Sequence, residues 1–255
     1  MKKLAVTIIG SGNVASHMGR ALNPFVEIRQ VYSRRPFRAQ KLADELGVPA
    51  VSNWEEINTD SDVYIVAVKD DVIQTLAGKL SVKGIIAHTS GTVNMEVLSP
   101  VSHHYGVFYP LQTFSEERTP DWDRIPMLLE ASDDESLQVL HTLADFLSNQ
   151  VEDVDSKQRA KLHIGAVFAN NFTNYMMYVA QDIMRESNIN ASLLKPLVEE
   201  TISKSFDHNP KDIQTGPARR GDQKTLEKHL KALAEYPAYA QLYAIISQQI
   251  QDLYE

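Results

Sequence analysis

The sequence predicts an α/β fold: an N-terminal Rossmann domain, doubly wound around a mainly parallel sheet, followed by an all-helical domain. Three observations carry this expectation. Short β-rich runs alternate with helical spacing over residues 1–155, the pattern left by a parallel sheet with crossover helices. The first run ends in Gly10-Ser11-Gly12-Asn13-Val14-Ala15, a glycine-rich turn from strand to helix. From Ser156 onward only helical periodicity remains.

Taken in order, strands are expected at Lys3 to Gly10, Glu27 to Ser33, Ala50 to Ser52, Val63 to Val68, Gly84 to Thr89, His104 to Tyr109, Met127 to Ala131 and Gln150 to Val154. Between them Asn13 to Leu22, Phe37 to Leu46, Val72 to Lys79 and Asp134 to Leu147 space their apolar residues at helical intervals. Gln158 to Arg185 holds no proline and one glycine, Gly165. It reads as a single helix of roughly 40 Å, long enough to core a second domain. Ala191 to Ser205, Asp222 to Leu233 and Ala238 to Tyr254 read as further helices. The boundary falls near Asp155, giving residues 1–155 and 156–255 as the two domains.

Composition narrows the function. At about 150 residues per domain, 255 residues make one large or two modest domains. With 25 Lys and Arg against 33 Asp and Glu, the net charge of −8 argues against broad binding to nucleic acid or an anionic membrane. The absence of cysteine removes thiol nucleophiles, cysteine-ligated zinc and iron–sulfur clusters, and fits a reducing cytoplasm. Met1-Lys2-Lys3 and the run Leu4 to Ile9 resemble a secretory start, but the run stops at Gly10, so it reads as a strand. No apolar stretch reaches the ~18 residues that span a bilayer. A soluble cytoplasmic protein acting on a small molecule, with no metal, is expected.

Gly10 to Ala15 matches G-x-G-x-x-G/A in the right context, between a strand and a helix. The first glycine permits the turn, the second lets backbone approach a pyrophosphate, and Ala15 keeps helix and strand close. About 20 residues on, where NAD-binding domains place a carboxylate on the ribose, stand Ser33-Arg34-Arg35. Two guanidiniums and a hydroxyl suit a 2′-phosphate, so NADP is expected rather than NAD or S-adenosylmethionine. The alternative is that Arg34, Arg35, Arg38 and Lys41 form a solvated helix start. Ala67-Val68-Lys69-Asp70, His88-Thr89-Ser90-Gly91-Thr92 and Tyr109-Pro110-Leu111-Gln112 end other strands and either line the crevice or serve as turns and caps.

The long helix carries His163, Asn170, Asn171 and Asn174 among Ile164, Val167, Phe168, Phe172 and Met176. At about 100° per residue, Asn170 and Asn174 fall within about 20° of His163, and Asn171 about 80° round. Such a stripe either faces the nicotinamide or pairs with other helices, in the core or across a dimer interface. Thr215-Gly216-Pro217-Ala218-Arg219-Arg220-Gly221-Asp222 sets Asp222 to cap the next helix. There Arg219 or Arg220 either holds an anionic substrate group or sits on the surface. His103-His104 lacks a partner at metal-site spacing, and no H-E-x-x-H, nucleophile elbow or Walker loop occurs.

Gly10 to Ala15, Val66 to Asp71, His88 to Gly91, Pro110 to Phe114, His163 through Asn171, and Thr215-Gly216-Pro217 with Arg220-Gly221-Asp222 together resemble one family. It comprises Rossmann-like proteins whose C-terminal part is domain of unknown function 2520, related to coenzyme F420-dependent NADP oxidoreductases and pyrroline-5-carboxylate reductases. The resemblance implies an NADP-binding domain, a helical domain like that of 6-phosphogluconate dehydrogenase, and a homodimer formed through it. Wider relatives, the β-hydroxyacid dehydrogenases and ketopantoate reductases, carry a catalytic lysine four residues before an asparagine on the long helix. Counting back from Asn171 reaches Val167, so that chemistry is absent and His163 becomes the preferred proton donor. Tyr109 also departs from a histidine common among relatives.

These readings converge on an NADP-dependent oxidoreductase moving a hydride between nicotinamide and a carbonyl or imine carbon of a small anionic metabolite. Gly10, Ser11, Gly12, Asn13 and Val14 are expected at the pyrophosphate, and Ser33, Arg34 and Arg35 at the 2′-phosphate. Val68, Lys69 and Ser90 are expected by the ribose and nicotinamide. His163 is the expected acid, with Asn170 and Asn171 polarising or positioning and Arg220 anchoring the anion. The alternative is a non-catalytic NADP-binding redox sensor or partner-binding module.

Overall fold

The computed structural model describes residues 3–255. Eight strands form one sheet: β1 (Ala5–Ile9), β2 (Glu27–Tyr32), β3 (Ala50–Val51), β4 (Val63–Val66), β5 (Ile85–His88), β6 (Tyr105–Pro110), β7 (Met127–Ala131) and β8 (Val151–Asp153). Their spatial order is β3-β2-β1-β4-β5-β6-β7-β8. All neighbours run parallel except β6 and β7. The chain reverses sides between β1 and β4, and at such a point an open α/β sheet leaves a crevice beyond its carboxyl ends.

Helices α1 (Asn13–Leu22), α2 (Pro36–Leu46), α3 (Asp70–Ile73) and α4 (Asp134–Asp145) connect these strands. β1 and β4 are buried along their whole length, as a strand covered on both faces requires. Val6, Ile8, Val63 and Ile65 pack with Met18, Leu22 and Leu42 in one cluster. Ile9, Tyr64, Val66 and Ile86 pack with Ile73, Leu76 and Leu98 in another. The sheet thus has two apolar layers, and its motifs lie at the strand ends. The expected helix Val72 to Lys79 shortens to the single turn of α3, with Leu76 buried by the bends that follow.

The expected long helix begins as α5 (Ser156–Ala166), where Asp155 caps Lys157 and Gln158 and Gln158 returns a bond to the Asp155 N–H. Val167–Phe172 is a wider π-helical turn, and α6 (Thr173–Glu186) resumes the α-helix. The 100° step that grouped Asn170 and Asn174 with His163 does not hold across this turn. The chain divides into two compact units at Val167 and Phe168, inside the π-helical turn; the change of sequence pattern lies at Asp155. The second unit continues through α7 (Lys195–Asp207), α8 (Pro210–Ile213), α9 (Gln223–Ala232) and α10 (Pro237–Asp252). The turn α8 was not anticipated. Asp222 caps α9 as expected, accepting the Thr225 N–H at 3.1 Å.

Candidate active site

β1 delivers the chain into Gly10 at φ +134°, where a Cβ would lie 2.1 Å from the Ala67 carbonyl oxygen. The Gly10 N–H donates to the Tyr32 carbonyl at 2.8 Å. The loop is therefore pressed against β4 and tied to β2, and only glycine fits. Gly12 is different: it stands at the N-cap of α1 without a side-chain cap, and a Cβ there would meet nothing within 4 Å. Open space thus adjoins a helix start whose first N–H groups have no intrahelical acceptor, an arrangement that favours an anion.

Ser11 Oγ donates to Ser33 Oγ at 2.8 Å, and Ser33 Oγ accepts the Arg35 N–H at 3.3 Å. The glycine loop and the end of β2 thereby share one polar corner, with Arg34 and Arg35 exposed beside it. A cleft of about 300 Å³ adjoins it, bordered by Ser11, Gly12, Arg38 and Lys41. The cleft also holds Glu45 and Glu116, which pair with Arg20 and Lys41. The open helix start, the stripped loop and the exposed Arg34 and Arg35, with no carboxylate at the end of β2, fit a dinucleotide carrying an extra 2′-phosphate. A larger hollow of about 590 Å³ lies by Lys3, Gly84 and His104 at the amino ends of the strands, away from this edge.

The strap Phe114 to Glu116 over α1 escaped sequence reading. The Asn13 side-chain amide donates to the Phe114 carbonyl at 2.9 Å, and His17 Nε2 donates to the Ser115 carbonyl at 2.8 Å. Lys41 pairs with Glu116 at 2.8 Å. Each mate lies some 75 to 101 residues away, so no local pattern announces it.

At the neighbouring strand ends Val68 is half-buried against the second apolar layer and Lys69 is exposed at the start of α3. Ser90 is buried and its hydroxyl accepts the N–H groups of Thr92 and Val93, both at 3.1 Å, so it shapes the loop after β5. Thr92 donates to Asp70 at 2.6 Å. Beneath the loop, His88 is fully buried and Nδ1 accepts the Ser90 N–H at 3.2 Å. Burial, then the nearby Arg159 guanidinium, push its pKa down to about 4.

Three further side chains complete this edge. Tyr109 Oη lies 3.1 Å from His163 Nδ1 on α5. Arg159, one helical turn before His163, is wholly buried; it pairs with Glu130 and donates to the Val93 carbonyl at 2.6 Å and Ser156 Oγ at 3.0 Å. An arginine in a first helical turn gives no sequence signal of burial, so this anchor was missed. Of the expected site residues, the first unit therefore holds Gly10 to Val14, Ser33 to Arg35, Val68, Lys69, Ser90 and His163.

The second unit holds the rest. Asn170 and Asn171 are exposed on the π-helical turn, a feature frequent at functional sites. Arg220 is exposed beside Gly221, whose φ is +64°. Arg219 instead stacks on Tyr254 at 4.4 Å and donates to the Gln214 carbonyl at 3.2 Å, so of the two arginines only Arg220 is left for a ligand among the described residues. An apolar hollow of about 270 Å³ lies between Met176, Ile183, Pro217, Leu242 and Ile246.

The fold and this edge define a class of nucleotide-dependent enzyme, and comparison with known proteins agrees. Residues 5–89 match the family model of coenzyme F420-dependent NADP oxidoreductases, and residues 125–250 match domain of unknown function 2520. A Bacteroides fragilis protein assigned as an NADP oxidoreductase is 38% identical over 98% of both chains, with a TM-score of 0.91. A Thermotoga maritima protein is 21% identical over 98% of this chain and 99% of its own, with a TM-score of 0.78. An imine reductase from Myxococcus stipitatus, solved with NADP+, shares the fold at 13% identity over 97% and 93% of the chains, with a TM-score of 0.72. No curated protein matches the chain. The chain belongs to the Rossmann-like NADP-dependent oxidoreductases that carry domain of unknown function 2520. Among the described residues no helix is long and apolar enough to cross a membrane.

Proposed function

We propose that this enzyme reduces a carbonyl or imine carbon of a small anionic metabolite, with His163 as the proton donor. The observation that carries the reading is the Tyr109–His163 pair set against the loop after β5, in the same unit as the glycine loop. Bound NADPH supplies the hydride. The backbone of Gly10, Ser11, Gly12, Asn13 and Val14 holds the pyrophosphate; Asn13 acts through its N–H, since its amide holds the strap. Ser33, Arg34 and Arg35 hold the 2′-phosphate, and Val68, Lys69 and the loop shaped by Ser90 border the ribose and nicotinamide.

His163 gives its proton to the substrate oxygen or nitrogen as that atom gains charge, a role suited to a histidine. Asn170 and Asn171 are assigned a polarising or positioning role, and Arg220 that of anion anchor. We assign nucleotide binding to residues 1–155, and substrate binding and dimerisation to residues 156–255. Incubation with NADPH and a panel of 2-oxo acids, 2-oxo lactones and cyclic imines, followed by loss of reduced-nicotinamide absorbance, tests the reading. Turnover on at least one compound is expected; binding of NADPH without turnover on any favours a redox sensor instead.

A second copy of the chain completes the helical unit. Of the second unit's residues only Asp182, Ala218 and Leu226 are buried, while Phe168, Leu193, Leu197 and Phe206 are 64%, 71%, 65% and 88% exposed. So little core cannot offset the entropy of ordering a helical unit, and so many exposed large apolar side chains favour burial against a second copy.

A further inference from the structure

β6 and α5 bring together Tyr109 and His163, 54 residues apart in sequence, with ring centroids 6.3 Å apart. Three independent features build this contact. A Cβ on Gly91 would lie 2.4 Å from His163 Nδ1 and 3.0 Å from Tyr109 Cζ, so the loop is reduced to bare backbone where the two rings meet. Burial pushes the Tyr109 phenol up, outweighing the opposing pull of Arg159, so it carries its proton at neutral pH. Arg159 ties α5 to β7 through Glu130 and to the loop bearing Gly91 through the Val93 carbonyl, which fixes the turn that presents His163.

We infer that Tyr109 is a positioning residue for His163: its hydroxyl occupies Nδ1 in both states of the ring and leaves Nε2 as the nitrogen that serves substrate. A hydroxyl donates to a neutral Nδ1 and accepts from a protonated one, so the ring keeps its aim as its charge changes. In the neutral ring, donation by the phenol places the remaining proton on Nε2. Among the described residues Nε2 has no hydrogen-bond partner, which fits its being the working nitrogen. Carboxylates commonly orient a catalytic histidine; here a neutral phenol does so without fixing a charge.

This inference deepens the proton-donor reading, but the tautomer it specifies is measurable without substrate. Ring nitrogens of the ¹⁵N-histidine-labelled protein are observed by NMR, with His163 assigned from the signals lost in His163→Gln. The neutral ring is expected as the Nε2–H tautomer in the natural protein and as a mixture in Tyr109→Phe, which keeps the aromatic ring and removes the hydroxyl. An Nδ1–H tautomer in the natural protein, or an unchanged pattern in Tyr109→Phe, overturns the inference. Should Tyr109→Phe not fold, the tautomer of the natural protein alone decides. If the tautomer responds as stated while His163→Ala leaves kcat unchanged, Tyr109 keeps its positioning role and the proton-donor reading falls.

Discussion

The two glycines of the nucleotide loop do different work, and substitution separates them. Gly10→Ala drives a methyl into the Ala67 carbonyl at a positive φ, and is expected to cost about 3 kcal/mol in urea unfolding. Gly12→Ala meets open space at an ordinary φ of −82°. Its stability should stay within about 0.5 kcal/mol of the natural protein, while NADPH affinity falls because the methyl occupies the path of the pyrophosphate. A stability loss at Gly12 as large as at Gly10 would contradict this division. In the proposed site Arg34 and Arg35 carry cofactor choice: charge-assisted bonds to a phosphate are worth about 1.5–3 kcal/mol each. Replacing both by Ala should abolish the preference for NADPH over NADH in a binding titration while leaving NADH affinity nearly unchanged.

At the scale of elements, α5 depends on a buried ion pair. Arg159→Met leaves Glu130 without its cation, and breaking a buried pair from one side costs about 3–5 kcal/mol; a loss under about 1 kcal/mol would show that the anchor is dispensable. Beneath the same loop His88 makes stability pH-dependent. The folded chain keeps it neutral down to about pH 4, whereas the unfolded chain takes a proton near pH 6.5. Between those values the unfolded state binds more protons, so stability is complete above about pH 6.5 and falls with acidification, by about 2 kcal/mol at pH 5. His88→Gln should remove that part of the acid sensitivity, read as the change in the urea midpoint between pH 7.5 and 5.

The strands were legible because each is a short apolar run with clear breaks: Met127 to Ala131 was read to the residue, as was the helix Asn13 to Leu22 with its apolar spacing. Strand direction was not, since nothing local in Met127 to Ala131 distinguishes an antiparallel neighbour from a parallel one. The π-helical turn at Val167–Phe172 also escaped, because Val167, Phe168 and Phe172 keep the apolar spacing of an ordinary α-helix. Within the site, the glycine loop and Ser33-Arg34-Arg35 announce themselves by spacing. Contacts such as Tyr109 with His163, or Asn13 with Phe114, join distant segments and emerge only once the sheet has formed.

For the whole molecule, the net charge of −8 conceals a basic corner at one sheet edge. The exposed apolar residues of the helical unit lead us to expect a dimer by sedimentation. Phe168→Asp with Leu197→Asp should shift it to monomer and lower its unfolding temperature; an unaltered sedimentation coefficient would place the interface elsewhere. The proposed reduction turns on His163 moving the proton. The most direct measurement is kcat together with NADPH affinity for His163→Ala on a substrate found in the panel. A fall in kcat of about 100-fold or more with NADPH affinity unchanged is expected; an unchanged kcat would remove His163 from the proton transfer.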